Sequence, residues 1–481
     1  MTAPGTTTGA TTGPTQTTAQ TTAPATPFTQ PSIYGSLNAP GVAAPPPGGL
    51  QIDLSVSTKL TVDDNYQLQP NSTGTSTFWD NSLGFNLSSV SGINDFTLDA
   101  SGVYRYGKVP GRNLSGFEDP QLRFRYVRSA VNSSLTLTGR YRHVDREYLD
   151  PFQIEQEEQQ TGSFLGGGGT LTINNATLDY VTGINDPFSF ALSLSHDEKG
   201  YDATAMAANN TLFGNTTNSA AATATFNFSK VTALRLQAGQ SDYSADDSVR
   251  TDRTTTDYSI GIVQDVNPVL LLDAQIGYSE VETTTTGGVQ MQDGLIGAVT
   301  LTRTMPNGTA FAGLNTTLNE NGTSTTLAFG RDLQLPRGQF TAVVGGTHTP
   351  SGNVYVTGQL AYTRQLRDSD LTLTVDRGVS TNTVSEDVLD TRVALGYGYA
   401  INNNSRLSLT LNWGRSESAG IGTAPTIERT RLDAAYSYDL TQDWALTGGV
   451  TLRQRSDTSV SGDARSNAVF VSLGRSFNYR P

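Results

Sequence analysis

The chain has 481 residues, 31 of them Lys or Arg and 44 Asp or Glu, a formal charge of −13. That balance excludes nucleic acid as a partner; the absence of cysteine excludes disulfides, thiolate metal sites and cysteine nucleophiles, and three histidines leave little imidazole chemistry. With 36% hydrophobic residues and 49 glycines, no window supplies the roughly 18 consecutive apolar residues of a spanning helix, so a membrane location has to come from strands.

Residues 1–49 hold nine of the 20 prolines and no charged side chain. This Thr/Pro/Ala-rich stretch reads as a disordered periplasmic arm, too short and unpatterned for a compact plug. It lacks the basic and apolar regions of a secretory signal, which is expected to have been removed.

From Leu50 to Pro481 the pattern changes to runs of about ten to fourteen residues that alternate apolar and small polar positions. In Leu50, Ile52, Leu54 and Val56 against Asp53, Ser55, Ser57 and Lys59, the two faces meet different solvents. The same holds for Phe188, Phe190, Leu192 and Leu194 against Ser189, Ser193 and Ser195, and for Leu407, Leu409, Leu411 and Trp413 against Ser408, Thr410 and Asn412. Such segments run from 50–64 and 76–89 through 95–107, 119–130, 133–146 and 168–182 to 442–456 and 464–480, 22 in all. Short turns such as Gly92–Asp95, Gly183–Pro187 and Ile401–Asn404 follow even segments, and longer polar loops mostly follow odd ones. An even count, short turns on one side and longer loops on the other predict an all-β fold: a single transmembrane antiparallel up-and-down β-barrel of about 22 strands with both termini periplasmic. A secreted β-solenoid of similar composition would show a short fixed repeat, and none is found. In segment six, Leu171 and Ile173 share one phase and Ala176, Leu178 and Tyr180 the other, which predicts a bulge at Asn174–Asn175.

Two pieces carry a family resemblance: the first hairpin, Lys59-Leu-Thr-Val-Asp-Asp-Asn-Tyr66 with Leu68 and Pro70, and the last strand, Val469, Val471, Leu473, Phe477 and Tyr479. The chain resembles proteobacterial outer-membrane β-barrel proteins of the porin type, including those associated with exopolysaccharide systems. The resemblance implies residence in the Gram-negative outer membrane, contact with its lipid and lipopolysaccharide, and a last strand read by the barrel insertion machinery. A periplasmic partner for the arm is a further expectation.

In a barrel, strand parity decides which side chains reach the lumen. It turns Arg105, Arg123, Arg125, Arg140 and Arg142 inward on strands three to five, and Arg429, Arg431, Arg453 and Arg455 inward on strands 20 and 21. All are expected in the extracellular half, flanking an arc with Asp63 and Asp80. Arginine gathered at one level of a polar lumen is a candidate field for anions or sugar hydroxyls. The alternative is that these residues only pair with lumenal acids such as Asp99 and Asp433. The longest loop, Glu147 to Gly169, carries Asp150, Glu155, Glu157 and Glu158; in general porins the loop at this place enters the barrel, and these acids are constriction candidates by that likeness. His143, His196 and His348 face outward without a serine nucleophile beside them, so no catalysis is expected. Neither a cofactor nor a resident metal is expected. The function expected is passive diffusion of small polar or anionic solutes or saccharides. The alternative is a structural or adhesive barrel with a closed lumen that binds through its loops or arm.

Overall fold

The computed structural model describes residues 49–145, 169–202, 213–381, 386–420, 425–458 and 462–480. The N-terminal arm lies outside the described residues, apart from Gly49. The strands are β1 (Gly49–Asp63), β2 (Ser76–Ser91), β3 (Asn94–Val109), β4 (Arg112–Ser129), β5 (Ser133–Asp145), β6 (Thr170–Thr182), β7 (Phe188–Asp202), β8 (Asn215–Asn227), β9 (Thr232–Ala245), β10 (Asp252–Asn267) and β11 (Leu270–Thr285). They continue as β12 (Gly288–Met305), β13 (Gly308–Asn319), β14 (Gly322–Leu335), β15 (Gly338–His348), β16 (Val354–Gln365), β17 (Ser369–Thr381), β18 (Asp387–Asn402), β19 (Ser405–Ser418), β20 (Ile427–Asp439), β21 (Trp444–Asp457) and β22 (Ala464–Tyr479).

Each strand pairs antiparallel with its neighbours in sequence, and β22 returns to β1 in unbroken register from Ile52 opposite Tyr479 to Asp63 opposite Ala468. Closure leaves no sheet edge with unpaired backbone groups, the condition for crossing lipid with strands. Register follows the alternation. On β18 and β19, Leu395 lies opposite Leu411 and Tyr397 opposite Leu409 on one face, while Gly396 meets Thr410 and Gly398 meets Ser408 on the other. A one-residue slip would exchange the faces of a whole strand, so the apolar set fixes the pairing. The outer face shows large apolar side chains such as Trp79, Leu83, Leu295, Phe329 and Val344 to the surroundings.

Aromatic rings fill gaps left by glycine on the adjacent strand. Phe124 on β4 lies opposite Gly139 on β5, and a Cβ added at Gly139 would sit 2.0 Å from the ring. With strands about 4.8 Å apart and tilted about 40°, the wall spans roughly 45 Å between opposite backbones. Extensive contacts join strands adjacent in the wall, or next but one around β12 and β13. Among the described residues, none of these strand contacts crosses the lumen.

Candidate functional site: the lumenal wall and its extracellular mouth

Both termini of the barrel emerge beside the short turns, and the opposite rim carries the longer connections. At that extracellular rim the β1–β2 connection is tied to the last strand. Asp63, which ends β1, accepts from Arg453 on β21, and its other oxygen accepts from Ser466 on β22 at 2.7 Å. Asp64 receives the backbone N–H and the side-chain amide of Asn467, both at 2.7 Å. Asn65 donates to the carbonyls of Gln69 at 2.7 Å and Arg465 at 2.9 Å. Tyr66 lies with its ring under the guanidinium groups of Arg105 and Arg453, each 5.7 Å from the ring centroid, and against Phe78 at 4.4 Å. Leu68 is fully buried, and its backbone takes a left-handed φ of 49°. The Asp-Asp-Asn-Tyr hairpin thus joins the two ends of the barrel wall at the one strand pair that no turn connects.

The lumenal arginines divide by environment. Arg105 grips Asp80 through Nε and Nη2, both at 2.7 Å, and donates to the Tyr66 hydroxyl at 3.1 Å. Arg142 grips Asp119 at 2.5 and 2.7 Å. Asp119 sits where β4 bulges: Gly102 of β3 faces both Asp119 and Pro120, between the pairs Ser101–Gln121 and Val103–Glu118. Its φ of 51° is one that Asp tolerates better than most residues, and it brings the carboxylate to Arg142. Asp119 was not singled out in the sequence because Asp-Pro reads as the start of a strand; β4 instead runs through it from Arg112.

On β20 and β21 the inward arginines stand in like-charged cross-strand pairs, Arg429 opposite Arg455 and Arg431 opposite Arg453. Such pairs repel unless counter-charges intervene. Asp433 holds Arg431 at 2.6 Å, Asp457 holds Arg455 at 2.5 Å, and Asp63 takes Arg453. Arg429 is 2% exposed. The expected arc with Asp63 and Asp80 between the two arginine groups is present, and both carboxylates are engaged.

Arg123 and Arg125 depart from the expected height. β4 descends from the extracellular turn, so Arg125 lies only four residues above its periplasmic end, opposite Thr97, and Arg123 lies opposite Asp99. Both belong to the periplasmic half of the wall. Arg125 is half-exposed, 3.6 Å from Asp95, and Arg123 is exposed, donating to Gln121 at 3.3 Å. Arg140, also expected in the extracellular half, stands directly opposite Arg123 and shares its lower level. Asp99 accepts from Asn86 at 2.6 Å. The candidates Asp150, Glu155, Glu157 and Glu158 lie outside the described residues.

No bulge forms at Asn174–Asn175, contrary to the sequence expectation: β5 and β6 pair without interruption from Ser133–Thr182 to Asp145–Thr170. Leu171 and Ile173 therefore keep lumenal parity and cluster with Val144, all at most 2% exposed, with Tyr201 packed against them. An apolar patch is buried at the lumenal mouth. On the outer face, His143 shares a hydrogen bond with Thr172 at 2.8 Å and His196 with Asn218 at 2.7 Å.

No protein-family profile matches the chain, and no curated protein matches it. Solved structures do. The FrpB iron transporter from Neisseria meningitidis (F5-1 variant) superposes with a TM-score of 0.58 at 9% identity, covering 89% of this chain and 82% of that one. The siderophore receptor PirA from Acinetobacter baumannii gives 0.54 at 10% identity, over 89% and 81% of the two chains. PirA from Pseudomonas aeruginosa gives 0.50 at 9%, over 90% and 81%. At such identities the likeness is one of fold. A closed barrel of 22 antiparallel strands, apolar outside and polar within, is an outer-membrane barrel of a Gram-negative cell.

Proposed function

We propose that the chain works as a porin-like channel of the outer membrane, passing small polar or anionic solutes or saccharides by passive diffusion. The observation that carries this reading is the lumenal face itself. Among the described residues it is lined by Ser, Thr, Asn, Gly and charged side chains, and the strand contacts run along the wall rather than across it. Arg105, Arg142, Arg453 and Arg455, buried at the mouth, are held by carboxylates, so they shape the wall rather than supply free charge. Arg123 and Arg125 stand exposed on the lumenal face, where passing solutes can reach them. Purified protein in a planar bilayer tests the reading: discrete conductance steps support it, and a silent bilayer at working protein density contradicts it.

The fold likeness favours a second reading, a receptor that binds its solute and passes it only when opened. The neighbours named for siderophores and iron share the barrel. A silent bilayer together with saturable binding of a ferric chelate would support that reading over diffusion.

A further inference from the structure

Inside the barrel, Arg105, Arg142, Arg235, Arg431, Arg453 and Arg455 each lie against a carboxylate. One stretch of the outer face does the opposite. Arg303 on β12, Arg331 on β14 and Arg364 on β16 share the parity of the lipid-facing Leu301, Phe329 and Tyr362. Arg337 and Arg367 stand in the turns that follow β14 and β16. Among the described residues, none of Arg303, Arg331, Arg337 and Arg364 forms an ion pair, and Arg367 has only its chain neighbour Asp368, at 3.9 Å. The carboxylates of these strands and of β17 are elsewhere: Asp332, Asp370 and Asp376 carry lumenal parity, and Asp293 lies near the extracellular end.

All five guanidinium groups belong to the rim that bears the termini. Arg303 lies opposite Leu270, the first residue of β11, and Arg364 opposite Gly338, the first of β15. Arg331 starts deeper in the wall, and its side chain reaches back to the β12–β13 turn, where Nη2 donates to Asn307 at 2.7 Å. That is how an arginine on a lipid-facing strand brings its charge to the interface. The paired rings of Phe340 and Tyr362, 6.4 Å apart, mark the same interfacial level. At the same rim opens a cavity of about 570 Å³, lined among others by Arg364, Leu366, Arg367, Ser369 and Arg406. Asp368 and Asp370 also line it, and Asp370 is taken up by Arg406.

We propose that this arc of the periplasmic rim is a binding surface for the phosphate headgroups of anionic phospholipids in the inner leaflet. Four arginines without an ion-pair partner among the described residues and a fifth, Arg367, with only the exposed Asp368 at 3.9 Å, in a chain of net charge −13, complement phosphodiester groups. The leucine, phenylalanine and tyrosine beside them offer the acyl chains an apolar bed. A soluble protein docking here would have to displace lipid from those same side chains. The proposal rests on the outer-membrane barrel and is independent of whether the lumen conducts.

The test is titration of spin-labelled phosphatidylglycerol and phosphatidylcholine into the full-length barrel in neutral detergent. Phosphatidylglycerol is expected to bind more tightly, with a preference that shrinks as salt is added. Each arginine near an anionic headgroup is worth roughly fivefold in affinity, so Arg303→Gln, Arg331→Gln and Arg364→Gln together remove about 100-fold. Lysine at the three positions retains most of the preference, and the lumenal Arg123→Gln, Arg125→Gln pair leaves it unchanged. Should the triple variant fail to fold, the exposed Arg303→Gln and Arg364→Gln alone each lower it about fivefold. Equal binding of the two lipids by the wild type, or an undiminished preference in the glutamine variants, overturns the proposal. So does glycerol phosphate binding as tightly as the lipid, because the site would then recognise a free anion.

Discussion

Closure between β1 and β22 is the point where the barrel is most open to a single perturbation, because no turn holds these strands together. Asp63 and Arg453 meet there with side chains each 3% exposed. Replacing Asp63 by Asn keeps an acceptor for Ser466 and for the Asn65 N–H, both of which Asp63 now serves. What it removes is the charge opposite a buried guanidinium. An uncompensated buried charge costs about 3–5 kcal/mol, whereas replacing both members of a buried pair by neutral groups is often close to neutral. Asp63→Asn and Arg453→Met should therefore each destabilise the barrel by about 3–5 kcal/mol. The double variant should fall short of the sum by at least about 2 kcal/mol. Urea unfolding in lipid vesicles, followed by tryptophan fluorescence and by the shift of the folded band on cold gels, supplies the four free energies. Single variants within about 1 kcal/mol of wild type, or four values that simply add, would refute the view that this pair locks the seam.

Asp119→Ala leaves Arg142 buried without its bidentate partner, and the same unfolding assay should show a loss of about 3–5 kcal/mol. Gly139→Ala forces the Phe124 ring off its glycine, a cost of about 1–3 kcal/mol in the same measurement. Leu411→Arg places a charge on the lipid face and should cost about 2–4 kcal/mol near mid-membrane, while Thr410→Arg, one residue away and inward, should cost far less. If the lumen conducts, Arg123→Gln with Arg125→Gln should shift the reversal potential in a salt gradient toward cations, and Arg142→Gln should shift it less than that pair does.

The two-residue alternation was legible because it records lipid on one side and water on the other, a contrast each strand has to satisfy by itself. Strand number, closure and the inward parity of the arginines followed from it. Height did not. Placing Arg123 and Arg125 required knowing that β4 runs through Asp119–Pro120, and an Asp-Pro step reads locally as a boundary. Leu171 and Ile173 misled for another reason: assigning every large apolar residue to lipid demanded a bulge, whereas the wall buries them inward against Val144 and Tyr201. The first hairpin stood out as a motif in the sequence. Its role as a clasp depends on residues about 400 positions away, such as Arg453, Arg465 and Asn467, whose proximity only closure creates.

The chain contains no cysteine, so single cysteines report on one position at a time. Cysteine placed in turn at 407 through 413, in protein inserted in lipid vesicles, measures the central claim directly with a charged, membrane-impermeant thiol reagent. Positions 408, 410 and 412 should label through the water-filled interior, and positions 407, 409, 411 and 413 should resist the reagent and be quenched by lipid-borne probes. Uniform labelling along the segment, or labelling with the opposite phase, would contradict a closed barrel with lipid outside and water within.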